Sequence, residues 1–341
     1  MDKKVALKDI AQKVGVSVAL VSYVLNGKEK IARISHDMAE KIRAVATELN
    51  YQPNLIAKSL KSGRTNTIGL IVADISNPFF SSIARIVEDE AKKYGYVVIF
   101  GSSDENADKQ QNLIDVFENR LVDAFIIAAA SGTEKQITDL KNRNVPVILI
   151  DRYFSGDFTD SVRIDDTLAA EQAVNQLVLN DHKKIALVTY NTKALHMQHR
   201  EEGYKNALKK NNIPFKSQLL IKINYQNIQA EVEEKVAKLL DPQQVDAFLC
   251  ATNSLGVATL RTIYHRNIKV PGEIALISFD ESEVFDFFYS PVTYVSQSIE
   301  EMGKAAVTLA VQKLNNTTPE KNNTVIIQPR LVIRNSCGGV K

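Results

Sequence analysis

His196 and His199 stand three residues apart at the start of a helix-period stretch, a spacing that can bring two imidazoles to one metal ion. No obvious third ligand stands beside them, so surface histidines are the simpler account. Asp165 and Asp166 are adjacent carboxylates that could share acid and base duties. An acid-rich helix N-terminus, complementing the macrodipole, explains them more simply. The 14 glycines are scattered and none stand two apart, which leaves no dinucleotide-binding fingerprint. A phosphate-loop GK[ST] and a G-x-S-x-G nucleophile elbow are missing too. What remains is binding chemistry. Asp74, Asn77, Asp151, Arg152, Asn253 and Asp280 each follow closely on a strand-length apolar run.

Those runs belong to a regular strand–helix alternation that begins at Thr67. Ile68–Val72, Val97–Phe100, Ala124–Ala128 and Val147–Ile150 read as strands. Helix-period stretches at Ser81–Lys93, Asp108–Arg120 and Glu134–Arg143 lie between them. A second series has strands at Ile185–Thr189, Leu219–Ile223, Ala247–Cys250 and Ile274–Phe279. Its helices are expected at Ala170–Leu179, Gln198–Asn211, Gln229–Leu240 and Ser254–His265. Two such series imply an α/β body of two doubly wound parallel sheets with similar topology. Ligands bind such sheets at the carboxyl ends of the strands, where the polar residues named above fall. Two sheets facing across a cleft would gather them around a polar small molecule.

Ahead of this body lies LKDIAQKVGVSVALVSYVLN, Leu7 to Asn26. Ile10, Ala11 and Val14 recur at helical spacing, Gly15 interrupts, and Val16, Val21, Val24 and Leu25 resume the pattern. A small residue where two helices touch (Ala11) and one without Cβ at the turn (Gly15) suit a helix-turn-helix. Ser17 can cap the second helix, leaving Val18, Ala19, Ser22 and Tyr23 pointing away from the small core. A short, uncharged outer face suits contact with base edges in a DNA major groove. An ordinary helical hairpin is the alternative on these residues alone. A third amphipathic helix, roughly Ser35 to Leu49, would complete a three-helix head. After it, Pro53 can open a short helix and Gly63 can close it. That segment is marginal alone and needs a partner to hold it.

At 341 residues, two or three domains are expected. The net charge of +2 conceals an asymmetry: residues 1–64 carry 12 basic and 6 acidic side chains (+6), the remainder 30 and 34 (−4). A basic head on a mildly acidic body fits a phosphate-backbone binder, although a solvated basic terminus would look the same. Apolar runs such as Ala124–Ala130 are too short to span a membrane, and no export leader is read at the start. Cys250 and Cys337 make no disulfide framework and fit a reducing cytoplasm. No cofactor and no metal site are expected.

Taken together, LKDIAQKVGVSVALVSYVLNG, NYQPNLIAKSLKSGRTNTIGLIVADISNPFF, VPVILIDR, REEGY, ISFD and PRLVIRNS resemble the LacI/GalR family of transcriptional regulators over the whole chain. The resemblance implies a head over 1–52, a hinge helix over 53–63 and an effector-binding and dimerisation domain over 66–341. It divides that last domain into 66–163 plus 297–323 and 164–293 plus 324–341, with a type I periplasmic-binding-protein-like fold. It implies a cytoplasmic homodimer, most simply a repressor, that binds pseudo-palindromic operator DNA under control of a small-molecule effector, a sugar or sugar derivative. A sugar-binding transport protein without regulatory duty is the rival reading.

Residue roles follow from the same resemblance. Val18, Ala19 and Tyr23 occupy base-reading places, Ser17 and Ser22 meet the backbone, and Asn26 and Asn54 belong to the DNA-binding set. Leu20 stands where threonine is common, and Ala6 where a threonine usually caps the first helix. A lost cap costs ~1 kcal/mol. Leu60 takes the place of a leucine wedged into the minor groove. The effector set is Asn77, Phe79, Phe80, Asp151, Arg152, Arg200, Thr252, Asn253, Asp280 and Gln297. Core packing is an equal alternative for the two phenylalanines. Thr252-Asn253 replaces the usual Asn-Asp pair, so one carboxylate is absent.

Overall fold

The computed structural model describes residues 5–52, 63–156, 159–241, 244–316 and 322–338. The chain divides at Thr65/Asn66 into two compact units.

In the first unit the helices are α1 (Leu7–Val14), α2 (Val18–Leu25) and α3 (His36–Glu48). Ile10, Val21 and Ile42 are fully buried where the three meet. Gly15 turns the chain in the left-handed region at φ 82°, and its N–H donates to the Ala11 carbonyl at 2.9 Å. The Ser17 hydroxyl accepts from the Leu20 N–H at 3.2 Å, and Ser35 does the same for Met38 at 3.4 Å. Ala6 has no side-chain acceptor to offer α1. Instead the Asp9 carboxylate accepts from the Ala6 N–H at 2.7 Å, one half of a capping box. The expected hinge, with Asn54 and Leu60, lies outside the described residues.

The second unit holds two six-stranded sheets. In chain order the first series runs β1 (Thr67–Val72), α4 (Pro78–Lys93), β2 (Val97–Ser102), α5 (Ala107–Asn119), β3 (Ala124–Ile127), α6 (Glu134–Asn142), β4 (Val147–Ile150) and β5 (Asp160–Ile164). The second runs α7 (Asp166–Leu179), β6 (Ile185–Tyr190), α8 (Leu195–Lys210), β7 (Leu220–Ile223), α9 (Ile228–Leu240), β8 (Ala247–Cys250), α10 (Asn253–His265), β9 (Ala275–Phe279), α11 (Glu283–Phe287) and β10 (Thr293–Ser296). Then come α12 (Ile299–Leu314), β11 (Thr324–Ile327) and β12 (Arg330–Val332).

The sheet orders are β11-β5-β4-β3-β1-β2 and β12-β10-β9-β8-β6-β7, the same path used twice. Among the described residues every pairing is parallel except β10 with β12. Central strands such as β3, β4, β8 and β9 are buried along their length, as parallel strands covered on both faces must be. The strand series read from the sequence are present, each extended by strands the pattern did not mark. One boundary needs correction. Residues from 324 onward were expected in the second subdomain, yet β11 pairs in parallel with β5 of the first sheet, Val325 opposite Val162. Likewise β10, Thr293–Ser296, lies in the second sheet between β9 and β12, which carries that sheet to Ser296, three residues beyond the expected limit. The backbone therefore passes between the sheets three times: after β5, after β10 and between β11 and β12.

Candidate functional site

The carboxyl ends of the strands from both sheets face one cavity of about 210 Å³. Asp151 follows β4 and Asp280 follows β9, the topologically equivalent strand of the other sheet. Both adopt left-handed backbone, φ 64° and 65°. Both donate their N–H to the neighbouring strand, Asp151 to Val162 at 2.9 Å and Asp280 to Val295 at 3.0 Å. The repeated path thus delivers two nearly buried carboxylates, one from each wall.

Burial pushes the Asp151 carboxyl up to about 7, with Arg152 and Arg200 pulling the other way. Burial raises Asp280 as well, opposed by Arg200, by Gln297 and by the backbone N–H of Asn253. The Gln297 Nε2 donates to Asp280 at 2.5 Å, while its Oε1 is buried without a partner. Arg200 is 1 % exposed and its guanidinium stacks 4.1 Å from the Phe279 ring. Its Nε donates to Asp166 at 2.8 Å and its Nη1 to the Ala251 carbonyl at 2.6 Å. The Nη2 is buried and unpartnered on a side chain that lines the cavity.

Local packing puts that arginine there. Gly203 in REEGY lets α8 press against α7, since a Cβ would stand 2.2 Å from the Thr167 carbonyl oxygen. The same crossing brings Arg200 to Asp166. Asp165 is the helix cap that the acidic start suggested, accepting from the Leu168 N–H at 2.9 Å. Asp166 is more than that. It is a buried acid, raised by burial and lowered by Arg200, that also accepts from Tyr153 Oη at 3.2 Å.

The first wall is built on α4. Asn77 caps it by accepting from the Phe79 N–H at 3.0 Å, and Pro78 occupies the first turn. Phe79 and Phe80 pack edge to face, centroids 5.0 Å apart, both buried and both lining the cavity. Arg152 lies over the Phe80 ring at 5.3 Å and pairs with the Glu105 carboxylate. Asn77, Phe79, Phe80, Asp151, Arg152, Arg200, Thr252, Asp280 and Gln297 all reach the cavity. Asn253 does not line it. Its amide is engaged with that of Asn77 by two hydrogen bonds, 3.2 and 3.0 Å.

In the head, Val18 and Tyr23 are each 45 % exposed and Ala19 is exposed too, so the outer face of α2 is short and uncharged as read. Ser17 is occupied as a cap, and Asn26 donates back to the Ser22 carbonyl at 2.7 Å. Leu20 is half-buried and packs against the head core. That packing explains how an aliphatic residue is tolerated at this place.

Comparison with known proteins decides what these two units are. Residues 6–54 match the model of bacterial regulatory proteins of the lacI family, and residues 65–335 match that of periplasmic binding proteins and the sugar-binding domain of the LacI family. The chain belongs to the LacI family. It is a DNA-binding transcriptional regulator controlled by a small-molecule effector. It is 30% identical to the HTH-type transcriptional regulator RegA of Clostridium acetobutylicum, over 97% of this chain and 99% of that protein. It is similar in fold to a lac repressor dimer bound to operator and the anti-inducer ONPF, with a TM-score of 0.84 at 22% identity over 99% of this chain and 100% of that one. A LacI family transcriptional regulator from Enterococcus faecium, solved with bound ribose, is 28% identical with a TM-score of 0.71, covering 81% of this chain and all of that one.

Within this LacI-family cleft several lining residues escaped the sequence reading. His196 is buried in the wall, its pKa lowered well below the ordinary histidine value by burial and by Arg152 and Arg200. The expectation of two surface histidines is therefore corrected: His199 contacts Tyr153 Oη at 2.6 Å and His196 faces the ligand space. Among the described residues no cluster of three or more His, Cys, Asp or Glu could hold a metal. Tyr190 ends β6 and Tyr225 follows β7, their rings 5.5 Å apart at the cavity. Tyr225 Oη donates to Asp74 at 2.8 Å, which holds Asp74 behind the lining. Glu105 sits in a tight loop after β2 with φ 58°. A tyrosine at a strand end and an acid in a polar loop look like core and solvated surface in sequence. Only the strand-end rule could have singled out Tyr190.

Proposed function

We propose that this regulator is a cytoplasmic, homodimeric repressor whose effector is a sugar, held between the two sheets of the second unit. The observation that carries the effector class is the cavity's mixture of groups. Asp151 and Asp280 offer acceptors, the free Nη2 of Arg200 offers a donor, and aromatic faces stand beside them. A sugar ring presents hydroxyls to the first two and C–H faces to the last. Bound ribose in the Enterococcus faecium relative supports the same class. Membership of a family of transcriptional regulators supports binding rather than turnover as the work of the cleft.

Effector contacts fall to Asn77, Phe79, Phe80, Asp151, Arg152, Arg200, Thr252, Asp280 and Gln297, with Asn253 acting through Asn77. On the DNA side, Val18, Ala19 and Tyr23 read bases while Ser17, Ser22 and Asn26 meet the backbone. Asn54 and the Leu60 wedge complete the set. Two heads match a pseudo-palindromic operator, because a two-fold protein favours a two-fold site. Ligand in the cleft changes the angle between the sheets and with it the spacing of the paired hinges. Coupling of this kind amounts to ~1–3 kcal/mol.

Selection of DNA sites from a random pool, with and without a panel of sugars, tests the reading. A palindromic consensus whose recovery changes with one sugar supports it. Equal retention of every sequence, or indifference to the whole panel, overturns it.

A further inference from the structure

Both arginines of the cleft are engaged by carboxylates before any ligand arrives. Arg152 pairs with Glu105 through Nη1 and has Asp151 3.6 Å from its Nε. Arg200 pairs with Asp166 through Nε. Four acids, Glu105, Asp151, Asp166 and Asp280, surround these two arginines; Glu105 and Asp166 are the paired ones, and Asp151 and Asp280 are buried acids of the lining whose carboxyls burial raises. Among the described residues no lysine lines the cavity, and its one histidine, His196, is held neutral by burial and by the two arginines.

A phosphate or carboxylate entering this space would meet Asp151 and Asp280, while both arginines of the lining are already paired with a carboxylate, Arg152 with Glu105 and Arg200 with Asp166. An anion held a few ångströms from a poorly solvated carboxylate is repelled by it, and the repulsion weakens where water penetrates. Hydroxyl groups fare differently, since each buried carboxylate oxygen accepts from a hydroxyl donor without a charge penalty. An ammonium-bearing ligand would also suit two acids in the lining. The aromatic walls and the donor left on Arg200 favour the uncharged polyol.

We propose that the cleft selects by charge: it takes an uncharged polyhydroxyl ligand and rejects the phosphorylated or carboxylated forms, with Glu105 setting this choice by occupying Arg152. Glu105 is suited to the task. Its left-handed backbone (φ 58°) fixes the carboxylate over the cleft from a loop, and its side chain is 24% exposed, so changing it leaves the core untouched. Replacing the carboxylate by an amide would release the Arg152 guanidinium, planar and forked, which is the geometry that binds phosphate in two places. The inference rests on the reading of the cleft as a sugar site.

The test uses the full-length protein, by thermal shift and calorimetry, with matched pairs: D-ribose and D-ribose 5-phosphate, D-glucose with its 6-phosphate and D-glucuronate. For any pair that binds, the uncharged member binds at least ~10-fold tighter than the anion. In Glu105→Gln the gap narrows to under ~3-fold, chiefly because the anion gains affinity. The unliganded variant keeps a wild-type melting temperature, which separates this outcome from a folding defect. An anion that binds wild type as tightly as its uncharged partner overturns the proposal, as does an undiminished gap in Glu105→Gln. A stabilising ammonium sugar that outcompetes its uncharged parent overturns it as well. Silence from every compound overturns the sugar reading itself, a result distinct from an anion preference.

Discussion

Asn77 and Asn253 face each other from opposite walls of the cleft and exchange two amide hydrogen bonds, each donating to the other's carbonyl oxygen. Each also serves the start of a helix. The Asn77 oxygen accepts from the Phe79 N–H of α4, and the Asn253 oxygen accepts from the Ser254 N–H of α10 at 2.7 Å. The pair therefore clamps one helix N-terminus from each sheet, and it needs an amide at both positions. An aspartate at 253 could accept from Asn77 and could not return the bond.

Asn253→Ala removes both bonds and leaves the Asn77 amide half satisfied. A hydrogen bond of this kind contributes ~0.5–1.5 kcal/mol. We expect effector affinity to fall by ~5- to 30-fold, with faster amide exchange at Asn77–Ser81 in the unliganded protein. Asn253→Asp keeps one bond and should fall between. Exchange and affinity both unchanged in Asn253→Ala would contradict the clamp.

Asp151 ties ligand binding to a stability penalty. Its folded pKa of about 7 lies above the ordinary carboxyl value, so the folded chain keeps a proton that the unfolded chain has released. Its contribution to stability is complete below pH ~4 and is lost as pH rises through ~7. Asp151→Asn escapes that loss. Its melting temperature at pH 8 should exceed wild type by ~2–6 °C, the difference closing toward pH 4. The same variant should lose the sugar-induced shift. Superimposable melting curves across pH 4–8 would rule this out.

Arg200 and Asp166 form a buried pair, and breaking such a pair from one side costs ~3–5 kcal/mol. Arg200→Met should lose about that much because Asp166 is left buried without its partner. Adding Asp166→Asn should recover at least half of it, while ligand binding stays absent. Denaturant unfolding of the three variants decides this. Additive losses in the double variant would show that the pair is not coupled.

How much of this was legible in the chain depends on what each residue advertises. Gly15, Ser17 and Ser35 are local signals with local consequences, and the head helices begin and end where those residues dictate. Asp151 and Asp280 were readable because a charged residue after a buried strand has few roles besides a site. Tyr190, Tyr225, His196 and Glu105 carry no such mark, since each becomes a cleft residue only through how the two sheets face each other. The placement of β11 was hidden for a related reason. Four residues, Thr-Val-Ile-Ile, announce a strand, but the sheet they join is set by where the chain crosses.

Ala6 offers a test of the head alone. Its N–H already bonds to Asp9, so a hydroxyl that accepts from the Asp9 N–H would complete the capping box. Ala6→Ser should stabilise α1 by ~0.5–1 kcal/mol, seen as slower amide exchange across Leu7–Val14. Unchanged protection would mean that Asp9 alone suffices.

The central claim is that occupancy of the cleft changes affinity for DNA. The most direct measurement is fluorescence anisotropy on a selected operator, with and without the sugar that stabilises the protein, for wild type and Asp280→Asn. The account predicts at least a ~5-fold change in operator affinity for wild type and none for Asp280→Asn, whose head is untouched. Operator affinity that ignores a sugar bound in the wild-type cleft would contradict it.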